Sequence, residues 1–391
     1  MRNSLQKSST FFSNGLVYGL NGIYTIMPIY LAKYFDSVQM GYLLAIQPLL
    51  LCIAPLFWGE ITDKAKSQNF VMALLVAGAT ISICAIPFNP NFYFVATALF
   101  LYSIFQSPFG SLIDVLTIRA SEKFGMNYGF FRVIGAVLYG FMAFIVTLLT
   151  NTEYAFYVYA ITSVLACVTI YGMPKVTGIP KKAVSKDIRS KALFSNKELW
   201  VLILIISAPY FAWGYYHNFF PTYITETLGL SKSVWGIVAF LTAFSEVPFF
   251  FYYNRIFRKF RLKYILAISC FIIAIRLLVY TFVTNTSVLV AVSFITGLFI
   301  TVLIYCITRY IVAAISPGLV NRAQSLAYAF GTGIPKMLAG CVGGYMTKYF
   351  GVTNSFLICA VLVFMSFILT VTCKNVMDSI DEKVYASKFK K

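Results

Sequence analysis

Residues 174–197 read PKVTGIPKKAVSKDIRSKALFSNK, and this stretch decides how the chain is divided. It carries Lys175, Lys181, Lys182, Lys186, Arg189, Lys191 and Lys197 and lies near the middle of 391 residues that are otherwise 60% hydrophobic. Working outward, each side holds six apolar runs long enough for a transmembrane helix, which needs about 20 residues. The first six fall near 10–34, 40–59, 70–88, 92–118, 126–149 and 154–173. The second six fall near 198–222, 232–253, 263–283, 287–314, 323–349 and 353–373. The expected fold is an all-α integral membrane protein of twelve transmembrane helices in two pseudo-symmetric six-helix bundles. The bundles take residues 1–173 and 198–373, with a basic linker over 174–197 and a tail over 374–391.

Composition agrees with this reading. Only 11% of residues are charged and mean hydropathy is +0.80, whereas soluble domains average about 25% charged residues. The formal net charge of +18 does not indicate a nucleic-acid partner, because the basic residues are distributed by side. Outside the spans, only Lys33, Lys232 and Lys348 fall on the face opposite the linker. Lys and Arg accumulate on the cytoplasmic side of membrane proteins, so both termini and the linker are expected there. The expected location is the cell membrane, with multiple passes. The N-terminus has no cleavage-site signature and reads as a retained first helix. The eight cysteines lie in or at the ends of apolar runs without metal-ligand spacing, so no disulfide, metal site or cofactor is expected.

Function is carried by the charges inside the apolar spans. Asp114 and Glu246 are the acids there, and Arg132, Arg276, Arg309 and Lys336 are the cations. A charge at bilayer depth costs several kcal/mol, so such residues face a cavity or one another. Asp114 lies nine residues before Lys123 and Arg132 nine after, which puts both about 13 Å in from the turn between spans four and five. Opposite charges at equal depth on adjacent helices are expected to pair, as a gripping element or as a lock between helices. Arg309 repeats this placement nine residues before Gly318, with no acid at the matching position after that turn. Glu246 with Arg276 or Lys336 forms a second expected pair. The only histidine, His217, sits in Tyr215-Tyr216-His217-Asn218-Phe219-Phe220-Pro221 and reads as a hydrogen-bonded interfacial residue. Glycines at 129, 135 and 140 in span five have counterparts at 331, 333, 340, 343 and 344 in span eleven. Small residues at matching places fit close helix contacts in two related halves.

Several motifs carry a family resemblance. Gly59-Glu60-Ile61-Thr62-Asp63-Lys64 resembles the loop motif of the major facilitator superfamily, in which Gly59, Asp63 and Lys64 would form a cytoplasmic gate. Tyr128-Gly129-Phe130-Phe131-Arg132-Val133-Ile134-Gly135 is similar to the fifth-helix motif of the lactose permease and phenylpropionate permease branch. Ser245-Glu246-Val247-Pro248, Arg309-Tyr310-Ile311 and Asn321-Arg322-Ala323-Gln324 resemble the phenylpropionate-type members. The resemblance implies that Asp114 and Arg132 grip the substrate and Tyr139 stacks on it. It places Glu246, Arg276, Lys336, Arg309 and Asn218 around the site, with protons handled by Glu246 or Asp114. The His and Glu of the lactose permease proton step align with Thr296 and Phe299, and its sugar-binding Asn with Phe249.

These readings converge on proton-coupled symport of a small polar or anionic organic solute: a sugar, glycoside, nucleoside or aromatic acid. The implied partners are that solute, protons and the bilayer, with a monomer as the family default. Two alternatives stay open: a drug or metabolite exporter of the same fold, and a non-transporting membrane sensor or scaffold. No nucleophile–base pair points to an enzyme.

Overall fold

The computed structural model describes residues 2–126, 128–178, 191–256, 260–316 and 319–386, and among these it is helical throughout, without strands. The basic run 179–190, Gly318 and residues 257–259 lie outside the described residues, as do the side chains of Phe249 and Thr296. The first half comprises α1 (Arg2–Tyr24), α2 (Met27–Leu31), α3 (Ser37–Lys64), α4 (Gln68–Cys84), α5 (Phe92–Gln106), α6 (Phe109–Phe124), α7 (Tyr128–Leu148) and α8 (Tyr154–Gly172). A short α9 (Lys191–Phe194) precedes the second half. That half contains α10 (Lys197–Thr222), α11 (Lys232–Ile256), α12 (Leu262–Phe282), α13 (Thr286–Ala314), α14 (Val320–Tyr328), α15 (Ile334–Thr372) and α16 (Lys374–Ala386). Nine continuous stretches among the described residues are long and apolar enough to cross a membrane. One of them, Arg322–Thr372, holds both the eleventh and the twelfth expected crossing, and the first and eighth, in α1 and α11, are not among the nine.

Local chemistry sets the breaks. Pro28 starts α2, so the first span is a helix, a turn and a short second helix. The fourth span, expected as one run over 92–118, is divided at Ser107 and Pro108, because proline has no amide hydrogen for the preceding turn. Side-chain caps start many of the others: Asp36 accepts from the Gln39 amide at 2.8 Å, Asn91 from Tyr93 at 3.0 Å and Asn196 from Leu199 at 3.0 Å. Such caps satisfy amides that have no intrahelical partner. Gly125 ends α6 at φ +63°, a conformation that favours glycine. Gly351, at φ +76°, splits α15 into two arms that form the outer part of span eleven and all of span twelve.

The two halves pack by the same plan. Span one lies on span five as span seven lies on span eleven, and spans three and six pair as nine and twelve do. Two seams join the halves, α3 against α15 and α7 against α11, and exchanging the halves converts one seam into the other. Glycine makes both seams possible. A Cβ on Gly340 would stand 2.7 Å from the Gly41 carbonyl and 2.8 Å from the Ala45 Cβ; one on Gly140 would meet the Phe240 backbone at 3.0 Å. Hydrogen bonds described between the halves gather toward the end away from the chain termini. Trp235 Nε1 donates to the Thr25 carbonyl at 3.1 Å, Ser37 to the Gly344 carbonyl at 3.2 Å, and Tyr42 and Tyr345 share a bond of 3.1 Å.

The terminal-side surfaces are tied within each half. The start of the linker straps the first half: the Gln68 amide donates to the Val176 carbonyl at 2.8 Å, Gly178 to Ala65 at 3.0 Å, and Arg119 to Thr177 at 3.0 Å. Within the tail expected over 374–391, residues Lys374–Ala386 form α16, which seals Met377, Ile380 and Val384 against the second half. Glu198 is its anchor, accepting from Lys383 at 2.6 Å, Ser379 at 2.7 Å and Tyr310 at 2.7 Å. Asp378 pairs with Lys263, and Asp381 caps α12 by accepting from the Leu262 amide at 2.6 Å. A tail helix with one apolar face needs tertiary partners, so its sequence alone does not reveal where it docks.

Candidate functional site

A cavity of about 410 Å³ lies between the halves, walled by α1, α3, α5, α7, α10, α11 and α15. Its size falls within the range of about 300–1,000 Å³ usual for small-molecule sites. Three of the buried charges face it: Arg132 from the first half, and Glu246 and Lys336 from the second. Tyr139, Asn218 and His217 also line it, with Trp213, Tyr216 and Trp235 as aromatic walls. On the first half, amides form a chain across three helices. Gln47 donates to Gln106 at 3.1 Å, and Gln106 donates to Asn21 at 2.5 Å.

Asp114 stands one layer behind this wall. Tyr18 of α1 intervenes, its phenol within 3.0 Å and 3.1 Å of the two carboxylate oxygens, while the Arg132 guanidinium lies 4.3 Å from the Tyr18 ring centroid. Tyr18, a residue of span one, thus joins the pairing expected from the hairpin of spans four and five. Gly135 permits it, because a Cβ there would meet the Tyr18 ring at 2.7 Å and Asn14 Oδ1 at 2.8 Å. Asn14 in turn donates to Thr117 at 3.1 Å, tying α1 to α6 at this level.

In the second expected pair, Lys336 and not Arg276 stands near Glu246. Glu246 faces Arg132 across the seam and Lys336 from α15, with the Thr301 side chain beside it. Arg276 is instead only 5% exposed and sits behind the cavity wall. It donates to the Tyr280 hydroxyl at 2.9 Å and lies 4.1 Å from the Tyr216 ring centroid, 4.8 Å from Tyr280 and 5.9 Å from Trp213. Among the described residues no carboxylate pairs with it. Aromatic faces stabilise a desolvated guanidinium by cation–π attraction, so Arg276 supports the wall that Trp213 and Tyr216 present. Arg309 does not line the cavity either; it lies half-buried on α13 beside Cys306.

Lys336 reaches the cavity because α10 and α15 touch at Gly214, where a Cβ would stand 3.0 Å from the Lys336 Cα. Its ammonium lies 5.3 Å from the Tyr210 ring centroid. His217 departs from the interfacial reading: its ring packs 4.4 Å from Trp213 and 5.8 Å from Trp235. Its Nε2, together with Asn218 Nδ2, is buried without a hydrogen-bond partner among the described residues. Of the loop motif, Lys64 bonds to Glu60 on its own helix at 2.6 Å, both side chains being well exposed, and a Cβ on Gly59 would meet nothing. The Asp63 carbonyl packs against Gly178 of the linker strap. Sequence reasoning missed Tyr18, Gln47, Gln106, Trp213 and Trp235, since in a chain with 38 Phe and 27 Tyr one more aromatic carries little signal.

A bundle of apolar helices in two equivalent halves, closing on a charged and aromatic cavity, defines a membrane transporter of the major facilitator type. The model of the MFS_1-like family matches residues 17–358, and the chain belongs to that family. Among curated relatives, an uncharacterised transporter YwbF of Bacillus subtilis is 25% identical over 358 residues, covering 90% of this chain and 89% of its own. A maltose permease of Geobacillus stearothermophilus is 23% identical over 350 residues, covering 85% of each. In fold, the chain is similar to the nucleoside transporter NupG: TM-score 0.83 to a point mutant at 16% identity, covering 95% and 99% of the two chains. The NupG structure without that mutation gives a TM-score of 0.78, also at 16% identity, covering 94% and 98%.

Proposed function

We propose that this transporter carries a small polar or anionic organic solute by proton-coupled symport, with Glu246 as the proton carrier. The observation that carries this reading is the convergence of Glu246, Arg132 and Lys336, from both halves, on one cavity. Glu246 is the carboxyl that meets both the cavity and two cations. A solute that engages Arg132 or Lys336 changes the charge balance felt by Glu246, which couples solute binding to proton uptake. Arg132 grips the solute, held in position by Tyr18 and Asp114; Tyr139 and the tryptophans offer ring faces, and the Gln47–Gln106–Asn21 chain meets hydroxyl groups.

The basic side of the chain is the cytoplasm, both termini lie there, and the protein works as a monomer in the cell membrane. Cross-half bonds at the opposite end then describe a state closed toward the exterior. Opening requires the halves to rock about the two seams, as in alternating access. The resemblance of the loop motif assigns Gly59, Asp63 and Lys64 to the cytoplasmic gate.

Purified protein in liposomes, given an acid-outside pH gradient and a panel of sugars, nucleosides and aromatic acids, tests this. At least one solute is expected to accumulate against its gradient only while the pH gradient lasts. Glu246→Gln is expected to keep solute exchange and lose accumulation. Accumulation that survives collapse of the gradient, or that persists in Glu246→Gln, overturns the reading.

A further inference from the structure

The charges around the cavity do not balance. Arg132 and Lys336 face it and Arg276 stands directly behind, against Asp114 behind Tyr18 and Glu246 at the wall. Three cations against two acids leave one positive charge over. At the aromatic end, among the described residues, the donors Asn218 Nδ2 and Arg276 Nη2 are buried without a hydrogen-bond partner, as are His217 Nε2 and the Tyr216 hydroxyl. This end is short of negative charge and has donors left to give. A desolvated cation without a counter-charge is costly, and an anion placed beside it recovers much of that cost.

Aromatic rings wall in Arg276, so Lys336 is the second-half cation that a solute can meet. Lys336 sits where α15 meets Gly214 of α10, one helical turn before Asn218, and among the described residues its ammonium has no hydrogen bond. A net surplus of one positive charge is balanced by one carboxylate, whereas a phosphate monoester carries up to two negative charges. The opposite wall supplies the amide chain Gln47–Gln106–Asn21, which suits hydroxyl groups, and Trp213 and Trp235 offer flat faces for a ring.

We propose that the transported solute is a hydroxylated ring bearing one carboxylate, such as a hexuronate, with the carboxylate on Lys336 and the hydroxyls on the Gln47–Gln106–Asn21 side. This rests on the transport reading above and narrows its substrate. Lys336 is then the residue that distinguishes an acidic sugar from its neutral parent.

The test is equilibrium binding to purified full-length protein at neutral pH without any gradient, followed by tryptophan fluorescence. Glucuronate, galacturonate and mannuronate are compared with glucose, galactose and mannose, and benzoate serves as a carboxylate without hydroxyls. At least one hexuronate is expected to bind tenfold or more tighter than its parent hexose and tighter than benzoate. Lys336→Gln is expected to remove that preference, the ratio of hexuronate to hexose affinity falling to within twofold of one. Lys336→Arg, which keeps the charge, is expected to retain it and guards against a folding defect. Failure of every hexuronate to bind, tighter binding of the hexose or of benzoate, or a preference that survives Lys336→Gln overturns the proposal. Proton coupling plays no part in this measurement, so its outcome is separable from the fate of the Glu246 assignment.

Discussion

The indole nitrogen of Trp235 donates to the backbone carbonyl of Thr25 at 3.1 Å, so one hydrogen bond joins the first turn of α11 to the end of α1 across the boundary between halves. Trp235 is 1% exposed and also packs on His217 at the edge of the cavity. The same side chain thus closes the end remote from the termini and walls the solute site.

Trp235→Phe keeps a ring but removes the donor. A typical hydrogen bond contributes about 1 kcal/mol net, which corresponds to roughly a fivefold change in a two-state equilibrium. The population open at the remote end is expected to rise by that factor. A cysteine at Ala239, in an otherwise cysteine-free protein, reports it through labelling by an impermeant maleimide added from that side. An unchanged labelling rate would show that the bond does not hold the halves closed.

Tyr18→Phe leaves the ring under Arg132 and removes the hydroxyl that bridges to Asp114. Hydrogen bonds to charged groups contribute about 1.5–3 kcal/mol, so KM for the transported solute is expected to rise at least tenfold. Asp114→Asn is expected to have a similar effect, and the double variant should be little worse than either single one, since both remove the same interaction. Strictly additive losses in uptake kinetics would mean that Tyr18 and Asp114 act separately.

The docking of α16 has a definite pH response. Lys263 holds the Asp378 carboxyl below the usual carboxylate range, through a hydrogen bond and its charge. A depressed acid stabilises docking above its undocked value and loses that contribution as pH falls through its docked value. Burial pushes Asp381 the other way, so its protonation comes earlier and relieves a desolvation cost. Protection of residues 374–386 from hydrogen exchange, corrected for intrinsic rates, is expected to stay level from about pH 8 to 5 and to fall only below about pH 4. Asp378→Asn is expected to start lower at neutral pH and to keep only the part of the acid step that Glu198, the helix's other carboxylate anchor, supplies. A loss of protection between pH 7 and 5 would refute the assignment.

Much of the architecture is legible before any coordinates. Apolar length marks the spans and the basic run after Met173 separates the halves, because each of these is a local property of the chain. The residues behind the cavity wall are not legible in that way. Asp114 and Arg132 do meet, at the ring and hydroxyl of Tyr18, but Tyr18 enters from a helix about a hundred positions earlier. Arg276 has the look of a site residue because it is charged and mid-span, yet three aromatic rings enclose it. Spacing along a helix gives depth; it does not say which neighbour will fill the space between two charges.

Gly351 has a practical consequence for anyone wishing to splice a reporter into the remote face. Its left-handed geometry joins the two arms of α15 without an intervening loop, so an added residue there has no slack to absorb it. One extra position would turn the following helix by about 100°. Phe356, whose ring rests 5.4 Å from Tyr215 and 5.7 Å from Tyr280, would swing out of the cluster that backs Arg276. A tag inserted at this joint would therefore report on a site it had already taken apart.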